Sequence, residues 1–164
     1  MSKKYDEPQG LSDVAKFHET FDLPILEKPT IPPPQRCALR VNLLQEELDE
    51  LKEAIADNDL VEVADALCDI QYVLSGAILE FGLADKFKEL FDEVQRSNMS
   101  KTCKTEEVAH QTQRHYKEKK DTDSYVVQRG GEYLVYREGD SKVLKSVEYS
   151  PADIKGKLAL VESN

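Results

Sequence analysis

The sequence predicts a mainly helical protein with a small β-hairpin near its C-terminus. In four segments between residues 11 and 98, apolar side chains recur every three to four residues, the period of an amphipathic α-helix. After residue 124 the pattern changes to two short β-rich runs on either side of Gly130-Gly131, which is typical of a hairpin. The predicted secondary structure therefore changes from helix to strand only near the end of the chain.

The first two predicted helices are separated by a proline-rich arm. Leu11–Phe21 has apolar residues at helical spacing, and Ser12 can act as its N-cap. Five prolines make residues 23–34 an extended linker, because proline cannot continue a helix. Gln35–Ala56 is the second helix. Its apolar stripe consists of Leu44, Leu48, Leu51 and Ile55.

Three further helices follow. Asp57-Asn58-Asp59 offers turn and N-cap chemistry before the third helix, Leu60–Phe81, which Gly82 ends as a C′ residue. We expect Ala84–Asn98 to form a fourth helix and Glu106–Lys120 a weaker, polar fifth one. The residues of the third helix expected to face inward are Val63, Leu67, Ile70, Leu74 and Ile78.

The C-terminal part completes the predicted organisation. Tyr125–Arg129 and Glu132–Tyr136 form the hairpin strands, and Ser150–Asp153 precedes a short final helix. We predict a single domain over residues 1–164. Its parts are a helical core (11–120) with a Pro-rich arm (23–34), and a C-terminal hairpin and tail (121–164).

Composition limits the possible functions. The net charge is −10, and residues 45–69 contain ten acidic residues and one lysine, so the charge is concentrated there. Such a surface repels nucleic acid and anionic membranes, and we expect it to bind neither. Three cysteines without a CxxC, no apolar leader and no run of 18 apolar residues predict a cytoplasmic protein. The histidines, expected at the surface, are His18, His110 and His115.

Two acidic clusters stand on consecutive predicted helices. Glu47 and Glu50 are three residues apart, and so are Glu62 and Asp65, so each pair shares a helix face. If the chain reverses near residue 56, Glu50 lies opposite Glu62 and Glu47 lies opposite Asp65. Carboxylates gathered in this way repel unless cations lie among them, and oxygen ligands suit Mg²⁺ or Mn²⁺ better than zinc.

The alternative is an ordinary solvated helix face, the usual explanation of an acidic run. Helical geometry favours the metal site, because Glu47 borders the leucine stripe whereas Asp49 faces solvent. A carboxylate at the edge of a core is costly unless it is paired or bound to metal, and Lys52 is the only basic residue in the cluster.

These acidic clusters resemble those of the all-α nucleoside triphosphate pyrophosphohydrolases, the MazG-like and phosphoribosyl-ATP pyrophosphohydrolase-like superfamily. The family pattern is E-E-x-x-E, a spacer, then E-x-x-D, which stands here as Glu46–Glu50, eleven residues, and Glu62–Asp65. Residues 93–101, EVQRSNMSK, resemble the family signature EVHRSNMSK with Gln95 in place of His. Residues 141–151 resemble the C-terminal element of the phosphoribosyl-ATP-like subgroup.

The resemblance implies an antiparallel helical bundle of that type and Mg²⁺-dependent hydrolysis between the α- and β-phosphates of a nucleotide, with Mn²⁺ as a possible substitute. It also implies a homo-oligomer, a dimer or a tetramer. Glu46 either serves as the base for the attacking water or is an exposed acid. The positions matching metal ligands are Glu47, Glu50, Glu62 and Asp65. The expected substrate-binding residues are Arg96, Asn98, Lys101 and Lys145.

Three functions remain open. The first is hydrolysis of nucleoside triphosphates, canonical or damaged, to monophosphates and pyrophosphate for nucleotide-pool housecleaning. The second is phosphoribosyl-ATP hydrolysis in histidine biosynthesis, and the third is a non-catalytic, cation-binding helical interaction module. Pyrophosphate release with each nucleotide separates them, and no residue pattern fixes the base.

Overall fold

A computed structural model describes residues 3–158, and the chain falls into two compact units, residues 1–87 and 88–164. The protein is mainly helical with one antiparallel two-stranded hairpin near the C-terminus, which confirms the predicted fold class. In the described part of the chain, no single helix is long and apolar enough to cross a membrane. The elements are α1 (Gly10–Thr20), α2 (Pro34–Ala56), α3 (Leu60–Glu80), α4 (Ala84–Met99), α5 (Glu106–Lys120), β1 (Ser124–Arg129), β2 (Glu132–Arg137) and α6 (Ile154–Leu158).

Unit 1 is built on a hairpin of α2 and α3, with α1 packed on α3. The turn between α2 and α3 forms where predicted: Asn58 has a φ of 55°, and Asp59 caps α3. The Asp59 carboxylate accepts hydrogen bonds from the backbone N–H groups of Val61, at 2.9 Å, and Glu62, at 3.2 Å. This cap satisfies donors that the first turn of a helix otherwise leaves unpaired.

The proline-rich linker is fixed to the C-terminal end of α3. The Leu26 N–H donates to the Leu79 carbonyl and the Thr30 N–H to the Phe81 carbonyl, each at 3.0 Å. Gly82 ends the helix at a φ of 64°, as predicted, and a Cβ there would lie 2.0 Å from the Lys28 carbonyl oxygen. Only glycine tolerates both the positive φ and this close approach.

Some sequence expectations for unit 1 were wrong. Helix α1 begins at Gly10, and the residue before it, Gln9, makes no side-chain cap, so Ser12 is not the N-cap. The apolar stripes are only partly inward, since Leu48, Ile55, Leu67 and Leu74 are 42, 61, 52 and 38% exposed. Helix α1 contacts the C-terminal half of α3, for example through Phe17 and Tyr72, and residues 75–80 there are all buried.

Unit 2 has its own core, in which α5 packs on the hairpin. The hairpin register runs from Ser124 opposite Arg137 to Arg129 opposite Glu132. The boundary between the units follows Phe87, and α5 packs on both strands of the hairpin within unit 2. The single-domain organisation stays a prediction. The buried core residues are Cys103, Ala109, Val135 and Leu144.

Candidate active site

The α2–α3 hairpin carries two facing rows of acidic side chains. Glu47, half-buried on α2, has its pKa raised by burial and then by the negative charges of Glu50, Asp69, Glu46 and Asp65. Because Asp65 and Asp69 belong to α3, their effect on Glu47 means that the two rows lie within electrostatic reach of each other. The structure therefore brings Glu47 and Asp65 into one electrostatic environment.

The second predicted pair lies nearer the turn. Glu50 and Glu62 line the same surface cavity, of about 420 Å³, together with three further acidic side chains and Ala54. No basic side chain is among the residues that line it. The additional acids are Glu53, Asp57 and Asp59. This end of the hairpin is thus a concave, uniformly negative surface.

The one lysine in the cluster does not neutralise these carboxylates. Lys52 donates to Asp49 at 2.7 Å, and Gln45 donates to the same carboxylate at 2.9 Å. Hydrogen bonds from Lys52 and then Gln45 lower the pKa of Asp49, which is exposed as predicted. Within residues 3–158, no salt bridge involves the five predicted site acids. Those acids are Glu46, Glu47, Glu50, Glu62 and Asp65.

A metal ion would meet a suitable donor set here. All the candidate ligands are carboxylates, the oxygen donors that Mg²⁺ and Mn²⁺ prefer. Across the described residues, however, no group of three or more His, Cys, Asp or Glu side chains is arranged so that it could hold a metal ion. The carboxylates are thus the type of ligand that a hard cation prefers. To bind one, however, their side chains would have to move closer together.

A buried histidine lies in unit 1, where the sequence predicted a surface residue. His18 is 1% exposed, with Nδ1 2.9 Å from the Pro24 carbonyl oxygen and Nε2 3.1 Å from Arg40 Nη2. Gly76 makes this packing possible, because a Cβ there would lie 2.7 Å from Arg40 Nη1. A lone glycine inside a helical pattern often has a packing reason, and this was the available sequence signal.

Arg40 is part of a buried ionic network that sequence reasoning also missed. Glu80, 1% exposed, forms salt bridges with Arg40 and Arg36. Burial alone would raise the pKa of Glu80, but hydrogen bonds from Arg36 and Arg40 outweigh it and lower the pKa. One polar atom in the network, Arg40 Nε, is buried without a hydrogen-bond partner.

A cavity of about 280 Å³ opens beside this network, lined by α1, α2, α3 and the linker. Its walls are mostly apolar and aromatic, including Phe17 and Tyr72, whose rings meet edge to face at 5.7 Å. Along α2, its lining residue Leu43 is one helical turn before Glu47. Along α3, Val73 is one turn after Asp69, so the cavity adjoins the acidic rows on both helices.

The four predicted substrate-binding residues belong to unit 2. Arg96 forms a two-pronged ion pair with Glu93, at 2.7 and 2.8 Å, and donates to the Pro151 carbonyl at 3.0 Å. Lys101 donates to the Asn98 side chain at 2.8 Å. Lys101 and Lys145, 44 positions apart in sequence, line one cavity. Their role in substrate binding stays a prediction.

Comparison with known proteins covers both the helical region and the C-terminal part. The sequence model of the phosphoribosyl-ATP pyrophosphohydrolase family matches residues 14–98, which include the acidic rows and every lining residue of the 280 Å³ cavity. An uncharacterized protein of Acanthamoeba polyphaga mimivirus is 25% identical over 223 aligned positions, which cover 81% of this chain and 89% of that protein. That similarity extends well beyond the region matched by the family.

Proposed function

The chain belongs to the phosphoribosyl-ATP pyrophosphohydrolase family, and we propose that it hydrolyses nucleoside triphosphates to nucleoside monophosphates and pyrophosphate with Mg²⁺ or Mn²⁺. The family indicates a pyrophosphohydrolase of the MazG-like superfamily. The nucleoside triphosphate as substrate, the identity of the metal and cytoplasmic nucleotide-pool housecleaning are the proposed refinements.

One observation carries the proposal: the 280 Å³ cavity adjoins the acidic rows. A nucleobase has apolar faces and a polar edge, which suits aromatic walls together with the buried Nε of Arg40. A nucleotide with its base in this cavity can extend its phosphates along α2 and α3 toward Glu47. The negative phosphates then need a cation between themselves and the carboxylates.

Each acidic residue has a proposed task. Glu47, Glu50, Glu62 and Asp65 would hold the metal ion, which when bound supplies Lewis-acid polarisation of a phosphoryl oxygen. Glu46 is exposed beside them and would accept a proton from the attacking water, as a general base. The carboxylates would also orient that water. The nucleotide and water yield the monophosphate and pyrophosphate.

The family description itself supports a second candidate, phosphoribosyl-ATP, as the substrate. This compound presents the same bond between α- and β-phosphates, so the acidic rows serve either reaction equally well. The two candidates differ in the group attached to the base. Only a direct comparison of the two substrates separates them.

The test is a pyrophosphate-release assay with Mg²⁺ on a panel of ribo- and deoxyribonucleoside triphosphates and on phosphoribosyl-ATP. We expect turnover of triphosphates by the wild type, and loss of turnover in Glu47→Gln and Asp65→Asn with unchanged circular dichroism. Asp49→Asn is the matched control, since it removes one charge from the same helix at a carboxylate that Lys52 already pairs.

The outcomes separate the functions. Turnover of phosphoribosyl-ATP alone supports the second candidate. No pyrophosphate from any substrate supports the non-catalytic, cation-binding module. Equal activity in Glu47→Gln and Asp49→Asn contradicts the assignment of the acidic rows, because then the unpaired and the paired carboxylate would be equivalent.

We also propose that the protein is a homodimer or homotetramer. The hairpin exposes large apolar side chains: Val61 and Leu67 are 75 and 52% exposed. Patches of this kind commonly mark interfaces between proteins. Multi-angle light scattering of the wild type should give a mass above 18.6 kDa, and Leu67→Lys should shift it toward the monomer. A monomeric wild type at micromolar concentration contradicts the proposal.

A further inference from the structure

A second cavity, of about 300 Å³, lies in unit 2 and is lined by five basic side chains. They come from separate segments: the turn after α4, the end of α5, the end of β2 and the chain that follows β2. No acidic residue is among those that line the cavity. The lining residues that matter here are Lys101, Lys120, Arg137, Lys142, Lys145 and Tyr116.

Most of this positive charge is not compensated. Arg137 is paired with Asp140, but none of the four lysines forms a salt bridge within residues 3–158. Lys101 donates to the neutral amide of Asn98. The ammonium groups of Lys120 and Lys145 lie 5.2 and 4.3 Å from the centres of tyrosine rings, which leaves their charge in place.

The backbone fixes this arrangement. The chain after β2 pairs back onto it: the Leu144 N–H donates to the Val135 carbonyl at 2.8 Å, and Leu144 itself is part of the buried core. The Lys145 N–H donates to the Tyr116 hydroxyl at 3.2 Å. Lys142 and Lys145 are thus held on either side of an anchored residue. Like charges held together favour the binding of an anion among them.

The local potential also affects a neighbouring phenol. A hydrogen bond from Ser97 and then the positive charges of Lys145 and Lys101 lower the pKa of Tyr149, although burial opposes the shift. Lys145 and Lys101 are far apart in sequence, and both act on the side chain of Tyr149. The environment stabilises negative charge.

We propose that this cavity binds a condensed phosphate, either pyrophosphate or the triphosphate chain of a nucleotide. A single monovalent anion would leave most of the lysines uncompensated, whereas linked phosphoryl groups carry several charges and many acceptor oxygens. The proposal rests on the proposed function only for the source of the ligand, since that reaction consumes a triphosphate and releases pyrophosphate.

Isothermal titration calorimetry without Mg²⁺ tests binding directly. The wild type should bind pyrophosphate and tripolyphosphate more tightly than sulfate. Lys120→Gln combined with Lys142→Gln should raise Kd by roughly a hundredfold, because each lost charge-assisted hydrogen bond weakens binding by about tenfold. Lys119→Gln with Arg129→Gln is the matched control, since it removes the same charge from unit 2 outside the cavity lining.

Two outcomes would overturn the proposal: wild-type binding of pyrophosphate no tighter than of sulfate, or equal losses in the cavity and control variants. Circular dichroism verifies that both variants fold. Glu47→Gln should bind pyrophosphate as the wild type does, because Glu47 is not among the residues that line the cavity. The result of the pyrophosphate-binding test is therefore independent of whether the protein hydrolyses nucleotides.

Calorimetry and steady-state kinetics identify the source of the phosphate. If the cavity takes the triphosphate chain of a nucleotide, the wild type binds that nucleotide in the absence of Mg²⁺, and the double cavity variant weakens this binding. If it takes the released product, the cavity variant weakens inhibition by pyrophosphate while KM stays the same. Both results support a condensed-phosphate site and differ only in which ligand uses it.

Discussion

The two halves of helix α3 treat acidic side chains in opposite ways. Its C-terminal half buries Glu80 against two arginines, which lower the pKa of Glu80 despite its burial. Its N-terminal half exposes Glu62, Asp65 and Asp69, and Asp65 and Asp69 help to raise the pKa of Glu47 on the facing helix. The carboxylates have the same chemistry, and their environments decide which form is favoured.

The difference separates structural acids from acids available to a ligand. Glu80 already has its cations within the fold, and an added metal ion would have to displace them. The five site acids of the hairpin have no such partner among the described residues, so an added cation relieves their repulsion. Compensation within the chain, more than acidity itself, therefore distinguishes the candidate active site from the core.

The largest expected effect comes from breaking the compensated region. Glu80→Gln leaves Arg40 buried beside a neutral group and should lower the free energy of unfolding by about 3–5 kcal/mol. Denaturant unfolding measures it. Glu62→Gln is the control, because it removes a carboxylate from the exposed half of the same helix and should change stability by about 0.5 kcal/mol or less. Similar losses in both variants would erase the distinction between the halves.

A smaller loss is expected where the network is packed most closely. Gly76→Ala places a Cβ 2.7 Å from Arg40 Nη1 and 3.1 Å from His18 Nε2. Such overpacking should cost about 1–3 kcal/mol, although alanine is otherwise favoured over glycine in a helix by about 1 kcal/mol. The direction of the change in melting temperature shows which of the two effects is larger. A higher melting temperature would mean that Arg40 and His18 move aside for the added Cβ at little cost.

The sequence predicted helix bounds within one or two residues because caps, glycines and apolar periods act locally. The pairing of the acidic rows followed from one short turn, whose length sets which residues of α2 and α3 face each other. Both predictions depended on residues close together in the chain. They located the acidic hairpin without any knowledge of the tertiary structure.

Contacts between distant residues were not predictable in this way. Glu80 pairs with Arg36 and Arg40, which are 44 and 40 positions away, and nothing in their local pattern indicates it. The expected inward stripes were wrong at Leu67 and Leu74, because a period indicates a face but not whether another helix covers it. The basic cavity in unit 2 likewise joins lysines from several segments.

Unit 2 also contains a carboxylate paired with an arginine, Glu93, and its contribution to stability depends on pH. Hydrogen bonds from Arg96 and then from the Asp153 N–H lower the pKa of Glu93 from 4.5 to about 2. The stabilisation from Glu93 is therefore complete above pH 4.5 and is lost as the pH falls toward about 2. Glu93→Gln should be less stable than wild type near neutral pH, by less than Gly76→Ala.

The measurement is denaturant unfolding of wild type and Glu93→Gln at several pH values. The gap between them should be constant above pH 4.5 and should shrink below it, because the wild type then becomes protonated at Glu93. Glu89→Gln in the same helix serves as the comparison, since Glu89 pairs with Lys157 at 3.1 Å and is about half exposed. A gap that persists unchanged at the lowest pH contradicts the assignment.

The smallest effect, and the one of opposite sign, is expected at the uncompensated acids. Glu47→Gln removes a half-buried charge that four neighbouring carboxylates oppose, so the metal-free protein should become more stable by about 0.2–1 kcal/mol. Thermal unfolding in EDTA measures the gain.

Millimolar Mg²⁺ should then raise the melting temperature of the wild type more than that of Glu47→Gln, because a ligand that binds the folded state stabilises it. Asp49→Asn, which loses a paired carboxylate, should retain the full response to Mg²⁺. If Glu47→Gln is instead destabilised in EDTA, then Glu47 has a compensating partner, and the contrast with Glu80 does not hold.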